Sequence, residues 1–279
     1  MALELGRWIR GHPLTTILMP YSCVRGLSVC LLLLVIGLAP ACAGKKNTIP
    51  PGTTQPDKYL LDRGNAELKD KNWLSAREYF RQIVDNYPQS PLRPEAKLGV
   101  GETYLGEGTS EALVLAANEF REFLTFYPTS PRADYAQFRL AASHAKQMRA
   151  AERDQSETKE AIREFDVFFA RYPNSPLAPE VKKQWREARD RLSEASYRVG
   201  LFYFRSRWYP GAIERFKEVL KEDPSFTGRD AVYFYLAESL SRTDKKPEAI
   251  PYFERLLKEF DKSEYRENAQ KRLEELKAQ

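Results

Sequence analysis

From Tyr59 onward, apolar residues recur at helical spacing among charged ones, and no run of alternating β-branched residues is long enough to propose a sheet. One three-residue stripe returns five times: Ala76/Phe80/Ile83, Ala116/Phe120/Phe123, Ala161/Phe165/Phe168, Ala212/Phe216/Val219 and Ala249/Phe253/Leu256. A small residue, an aromatic four later and a large apolar residue three later share one helix face. The alanine admits a neighbouring helix closely and the phenylalanine fills the space beyond it.

Each of the first three stripes ends in the same phrase: Tyr87-Pro88-Gln89-Ser90-Pro91, Tyr127-Pro128-Thr129-Ser130-Pro131 and Tyr172-Pro173-Asn174-Ser175-Pro176. Proline cannot continue a helix, and the serine is expected to cap the next one. Asp223-Pro224-Ser225 and Phe260-Asp261-Lys262-Ser263 are looser copies. Between stripes lies a second helix, marked by Gly64 before Glu67, Gly101 before Tyr104, Ala141 before His144, Gly200 before Tyr203 and Ala237 before Leu240.

This order resembles the tetratricopeptide repeat (TPR). In the first copy, Ala76, Phe80 and Pro88 follow Gly64 by 12, 16 and 24 residues, the spacing of a 34-residue TPR. The second and third copies carry insertions between their helices, the larger running through residues 148–158. The expected fold is all-α: an elongated TPR-type helical solenoid of five helix-turn-helix repeats. Between Pro179 and Arg205 there is no proline and the only glycine is Gly200. A helix of about 27 residues, roughly 40 Å long, is expected to join repeats 1–3 (residues 59–178) to repeats 4–5 (residues 179–279).

The N-terminal region reads differently. The apolar run Leu27–Leu38 follows Arg25 and precedes small residues; it is short for a membrane span and has the order of a secretory signal. Ala39-Pro40-Ala41-Cys42 resembles the lipobox of bacterial lipoproteins, which implies cleavage after residue 41 and a lipid on Cys42. The expected division is a signal peptide over 1–41 and a lipidated cysteine with a flexible Pro-, Thr- and Gly-rich tether over 42–58. Met19 would make a more ordinary start, leaving 1–18 untranslated. Ala43, where lipoproteins retained at the inner membrane often carry Asp, directs the expectation to the outer membrane.

Composition then narrows the chemistry. The three cysteines, Cys23, Cys30 and Cys42, all lie at or before the processing site, and the two histidines are His12 and His144. The processed chain therefore has no disulfide, no thiolate metal cluster and no multi-histidine zinc site. No Gly-rich phosphate loop is present. No cofactor is expected and the chain reads as not an enzyme. The formal charge of +5 falls to +3 when residues 1–41, with three arginines and one glutamate, are removed. Acids and bases alternate in stretches such as KKQWREARDRLSE, a solvated helix face rather than a nucleic-acid surface.

A stack of helix pairs offers a concave face to peptides and partner domains. In TPRs the first helix of each pair lines it. The register selects Leu61, Asp62, Asn65 and Lys69, then Leu98 and Glu102, then Tyr135, Phe138 and Arg139. In the C-terminal pairs it selects Tyr197, Leu201, Phe204 and Arg205, then Phe234, Tyr235, Glu238 and Arg242.

The whole processed chain resembles the BamD family, outer-membrane lipoproteins with five TPRs in the β-barrel assembly machinery. The resemblance rests on Cys42 with its tether, the Tyr59-to-Trp73-Ala76 first repeat, Glu152-Arg153-Asp154, Arg171-Tyr172-Pro173-Asn174-Ser175, and the long helix leading into Ser196-Tyr197-Arg198-Val199 and Tyr203. It implies a non-enzymatic role at the periplasmic face of the outer membrane. It further implies that the C-terminal repeats bind the last POTRA domain of a BamA barrel, with Tyr197, Phe204, Arg205 and Arg242 as candidates here. The N-terminal repeats would receive the C-terminal aromatic signal of unfolded outer-membrane proteins, with Leu61, Asn65, Lys69, Tyr135, Phe138 and Arg139 as candidates. Other Bam lipoproteins are further partners, and the membrane is reached through the lipid. The competing expectation is a TPR envelope lipoprotein of Tol–Pal coordination or cell-wall synthesis.

Overall fold

The computed structural model describes residues 49–278; the signal segment and Cys42 lie outside the described residues. Among the described residues there are eleven helices and no strand. They are α1 (Pro56–Lys69), α2 (Trp73–Asn86), α3 (Arg93–Glu107), α4 (Ser110–Phe126), α5 (Ala133–Ala145) and α6 (Ser156–Arg171). Then follow α7 (Ala178–Arg205), α8 (Tyr209–Glu222), α9 (Arg229–Ser241), α10 (Lys246–Glu259) and α11 (Arg266–Lys277). Successive helices pack on one another in chain order. The pairs α1/α2, α3/α4 and α5/α6 are repeats 1–3; the second half of α7 with α8, and α9 with α10, are repeats 4 and 5.

The stripes do what their spacing requires. All five alanines and all five central phenylalanines are fully buried, and the small residues of the partner helices receive the rings. A Cβ on Gly64 would lie 2.6 Å from the Phe80 ring, on Gly101 2.8 Å from Phe120, and on Gly200 2.6 Å from Phe216. Only a hydrogen fits there.

Two expectations are corrected in detail. The phrase serines cap the turn that leads into each following helix rather than the residue directly before it: their hydroxyl oxygens accept from Leu92 N at 3.1 Å and from Arg132 N and Leu177 N at 3.2 Å. The Ser amide closes a second turn onto the tyrosine carbonyl (Ser90 N to Tyr87 O, 3.0 Å; Ser130 N to Tyr127 O and Ser175 N to Tyr172 O, 3.1 Å). The hydroxyl of Ser90 donates to Asp57 Oδ2 at 2.6 Å, that of Ser175 to Asp134 Oδ2 at 2.7 Å and that of Ser263 to Asp230 Oδ2 at 2.6 Å. The next helix starts three residues after each of these serines, at Arg93, Ala178 and Arg266, with or without an intervening proline, and the hydroxyl reaches sideways to an aspartate in the first helix of its own repeat. The second-repeat insertion is not a loop either: it is absorbed as an extra turn, α4 having 17 residues against 14 in α2. The third-repeat insertion is a true excursion between α5 and α6.

The core is divided at α7. One buried cluster spans repeats 1 and 2 and reaches Ala136 and Leu140 of α5. A second joins α5 and α6 to Val181 and Ala188 of α7. The third takes Tyr197 of α7 and runs through repeats 4 and 5 to Leu273 and Leu276 of α11. One helix of 28 residues, about 42 Å long, therefore covers repeat 3 with its first half and opens repeat 4 with its second. α11 covers repeat 5 in the same way.

Candidate partner-binding surface

The second half of α7 carries six consecutive apolar residues, Val199-Gly200-Leu201-Phe202-Tyr203-Phe204. A helix touching neighbours on one side cannot bury so many. Gly200 and Tyr197 are buried and Leu201 and Phe204 half-buried toward α8 and α9, which leaves Val199 42% and Phe202 64% exposed. Behind them the 146–155 excursion rises as a second wall. The cleft between has a volume of about 530 Å³, with Leu192, Val199, Phe202 and Tyr203 as its apolar lining and Glu152 and Lys159 among its charged residues. Arg198 spans its edge, donating to Glu152 and, at 2.7 Å, to Glu194. A second hollow of about 470 Å³ shares Tyr203 and contains Trp208, Glu214, Arg215 and Glu218. Trp208 stands edge-on to Tyr203 at 4.7 Å and is 55% exposed. A strip of large apolar side chains bordered by ion pairs has the anatomy of an interface.

The residues chosen from the TPR register sit elsewhere. Leu61 is half-buried against the first core; Asn65 and Lys69 are exposed on α1. Tyr135 and Arg139 converge on Glu102: the Tyr135 hydroxyl donates to Glu102 Oε1 at 2.9 Å and Arg139 Nε to the same oxygen at 2.6 Å. Arg132 lies 4.4 Å over the Tyr135 ring. Burial, followed by the Glu102 charge, pushes the Tyr135 hydroxyl up to about 12. Arg139 is thus already committed to a carboxylate of its own chain. Phe138 requires correction as a groove contact: it is 6% exposed and belongs to the core between α5 and α6. Leu98, 2% exposed, is likewise core.

In the C-terminal repeats the chosen aromatics satisfy one another. Tyr197, 8% exposed, is corrected in the same way: its ring packs 5.9 Å from Phe216 and 6.3 Å from Tyr235. Burial first, then the neighbouring tyrosines, push its hydroxyl up. Phe204 meets Tyr235 at 5.0 Å and Tyr209 at 5.7 Å, and Phe234 stacks on Tyr265 at 5.1 Å. Arg205 is exposed, and Arg242 lies 5.8 Å over Tyr209 and 3.7 Å from Glu238. The register missed Val199, Phe202 and Trp208. The signal that could have found them is the six-residue apolar run, wider than the single stripe a TPR helix needs.

Among the described residues no three His, Cys, Asp or Glu side chains gather as a metal site, and no helix is long and apolar enough to cross a membrane.

The family model described as "Outer membrane lipoprotein" (YfiO) matches residues 53–242, taking in α7 and its apolar run, and the tetratricopeptide repeat model matches residues 231–263. The chain belongs to the outer membrane lipoprotein family. Among curated relatives of this family member, the protein of Caulobacter vibrioides named outer membrane protein assembly factor BamD is 27% identical over 208 residues, 74% of this chain and 67% of that one. The protein of the same name from Xylella fastidiosa is 25% identical over 61% of this chain, which spans 60% of that relative's length. That of Rickettsia prowazekii is 26% identical over 79% of this chain and 86% of the relative. Among solved structures, the TPR2AB domain of yeast Sti1 in its pHSP90 complex aligns at a TM-score of 0.44, with 14% identity over 74% of this chain and 78% of that one.

Proposed function

We propose that this family member is a non-catalytic scaffold lipoprotein of outer-membrane β-barrel assembly, held by a lipid on Cys42 at the periplasmic face of the outer membrane. Its body, which begins with α1 at Pro56 rather than at Tyr59, grips two kinds of chain: the periplasmic POTRA region of a BamA-like barrel protein, and the C-terminal signals of unfolded outer-membrane proteins. The observation that carries the reading is family membership across residues 53–242, with relatives named as outer membrane protein assembly factors. The uncovered strip Val199, Phe202 and Trp208 supports a partner domain on α7, where apolar anchors inside a charged rim supply most of the affinity. Leu61, Asn65, Lys69 and Tyr135 remain the candidates for the precursor signal in the N-terminal repeats. Arg205 and Arg242, exposed beside the aromatic set, are secondary candidates for the barrel protein.

A photoreactive amino acid at Phe202 tests this in intact envelopes. A crosslink to the barrel-assembly protein is expected, and Phe202→Ser should abolish co-purification while leaving the helical signal unchanged. Recovery of peptidoglycan-synthesis enzymes without any barrel protein would overturn the reading.

A further inference from the structure

Three of the five helix-ending phrases carry tyrosine before proline, at Tyr87, Tyr127 and Tyr172, and the fifth carries Phe260; the fourth alone has an acid, Asp223. In the second and fifth repeats the ring meets an arginine that opens the first helix of its own repeat: Arg93 Nη1 donates to the Tyr127 hydroxyl at 3.1 Å, and Arg229 lies 5.4 Å over Phe260. In the fourth repeat the carboxylate replaces that ring. Asp223 is 3% exposed. It accepts from Ser193 Oγ at 2.6 Å and from both terminal nitrogens of Arg186, Nη1 at 3.1 Å. Two further bonds run alongside, Arg189 Nη2 to Glu222 O at 2.5 Å and Thr227 N to Asp190 Oδ1 at 3.0 Å.

All of these join the middle of α7 to the turn after α8. They also reach repeat 3, because Arg186 and Arg189 lie 5.5 and 5.9 Å from the Trp185 ring. Trp185 Nε1 donates to Asp166 on α6 at 2.9 Å, and its ring packs edge-on to Phe169 at 6.1 Å. The bridge α6–Trp185–Arg186–Asp223 thus crosses the place where the core divides. A hollow of about 340 Å³, lined by Lys159, Arg189, Leu192 and Glu218 among others, lies beside it and shares Lys159, Leu192 and Ser196 with the larger cleft.

We propose that Asp223 is the fastening of the joint between repeats 1–3 and repeats 4–5: its carboxylate splints the midpoint of α7 and so fixes the width of the cleft beside Val199 and Phe202. Long helices are rarely straight, and α7 has 28 residues. A bidentate arginine–carboxylate pair, with its planar fork, resists that bending where a tyrosine ring over an arginine would slide. Asp223 is a positioning residue, and its role does not depend on which partner enters the cleft.

The test uses the full chain with spin labels on genetically encoded ketone amino acids, which leaves the three cysteines untouched. Labels at Asp85 and Arg255, both exposed, span the joint. The pair Asp85 and Arg171 reports on repeats 1–3 and the pair Lys221 and Arg255 on repeats 4–5. In wild type all three distance distributions are expected to be narrow. Asp223→Asn and Arg186→Gln should each at least double the width of the spanning distribution and leave both internal ones unchanged, and the double variant should add nothing beyond either single one. An unchanged spanning width in both variants would overturn the proposal. So would broadening of the internal pair in repeats 4–5, which would make Asp223 a support of its own repeat alone.

Discussion

The N-terminal and C-terminal repeats share one scaffold yet fill their inner faces with different chemistry. Between repeats 2 and 3 the space is closed by charge: Glu102 receives Tyr135 and Arg139. In repeats 4 and 5 it is closed by rings, Tyr197, Phe204, Tyr235, Phe234 and Tyr265 meeting at 5.0–6.3 Å. The Ala/Phe stripe fixes how helices stack and says little about the opposite face, which is free to be ionic or aromatic. Large aromatics on that face are also no guide to contact surfaces, because where several occur together they first satisfy one another.

The sharpest way to break this comparison is to truncate one ring of each kind. Phe138→Ala, which empties a buried site, should cost about 3–5 kcal/mol of unfolding free energy, whereas Phe202→Ala on the open strip should change it by less than about 0.5 kcal/mol. Urea unfolding followed by circular dichroism measures both, and equal losses would mean that Phe202 is packed in solution. Next in size is the ionic face. Glu102→Gln removes the charged acceptor shared by Tyr135 and Arg139, with an expected cost of about 1–3 kcal/mol. Tyr265→Phe in the aromatic face, losing one hydroxyl, should cost about 1 kcal/mol or less. A reversed order would assign the stability of the inner faces to rings throughout.

Acid provides a smaller and graded probe. Burial alone would raise the Asp223 carboxyl, but the bonds from Arg186 and Ser193 and the charges of Arg186 and Arg189 outweigh it and hold the group below its ordinary value. Asp190 on α7 and Glu218 and Glu222 on α8 oppose that effect, and Lys159 of α6 faces the same hollow. A depressed carboxyl contributes stability that is complete above the ordinary range near pH 4 and is lost as pH falls through the lowered value. Wild type should therefore exceed Asp223→Asn in urea midpoint at pH 6, and the gap should begin to narrow below about pH 4 and close only beneath the lowered value. A gap that stays constant from pH 6 through the acid range would show that the asparagine has disturbed packing rather than charge.

The helix pairs, their order and the long α7 were legible because each rests on spacing: Ala76, Phe80 and Gly64 are bound to one another by helical geometry within a single repeat. The serine turns were read only in part because capping is a local rule: Ser90 accepts from Leu92 N as expected, but its hydroxyl also answers to Asp57, 33 residues earlier. Phe138 and Tyr197 were placed on the open face because register tells which way a side chain points but not how closely the next repeat covers it. Val199 and Phe202 were passed over for the converse reason: a repeat signature draws the eye to the stripe it explains and away from the apolar residues left over.

One consequence of α7 concerns how the molecule melts. In most helical arrays each unit adds its own small increment and the ends fray first. Here a single helix is common property of two hydrophobic clusters through Val181 and Ala188 on one side and Tyr197 on the other. Neither cluster can come apart without releasing part of the helix that the other one needs. Heat should therefore dissolve both halves in one sharp transition, and a proline at Ala188, at the seam, should split it into two.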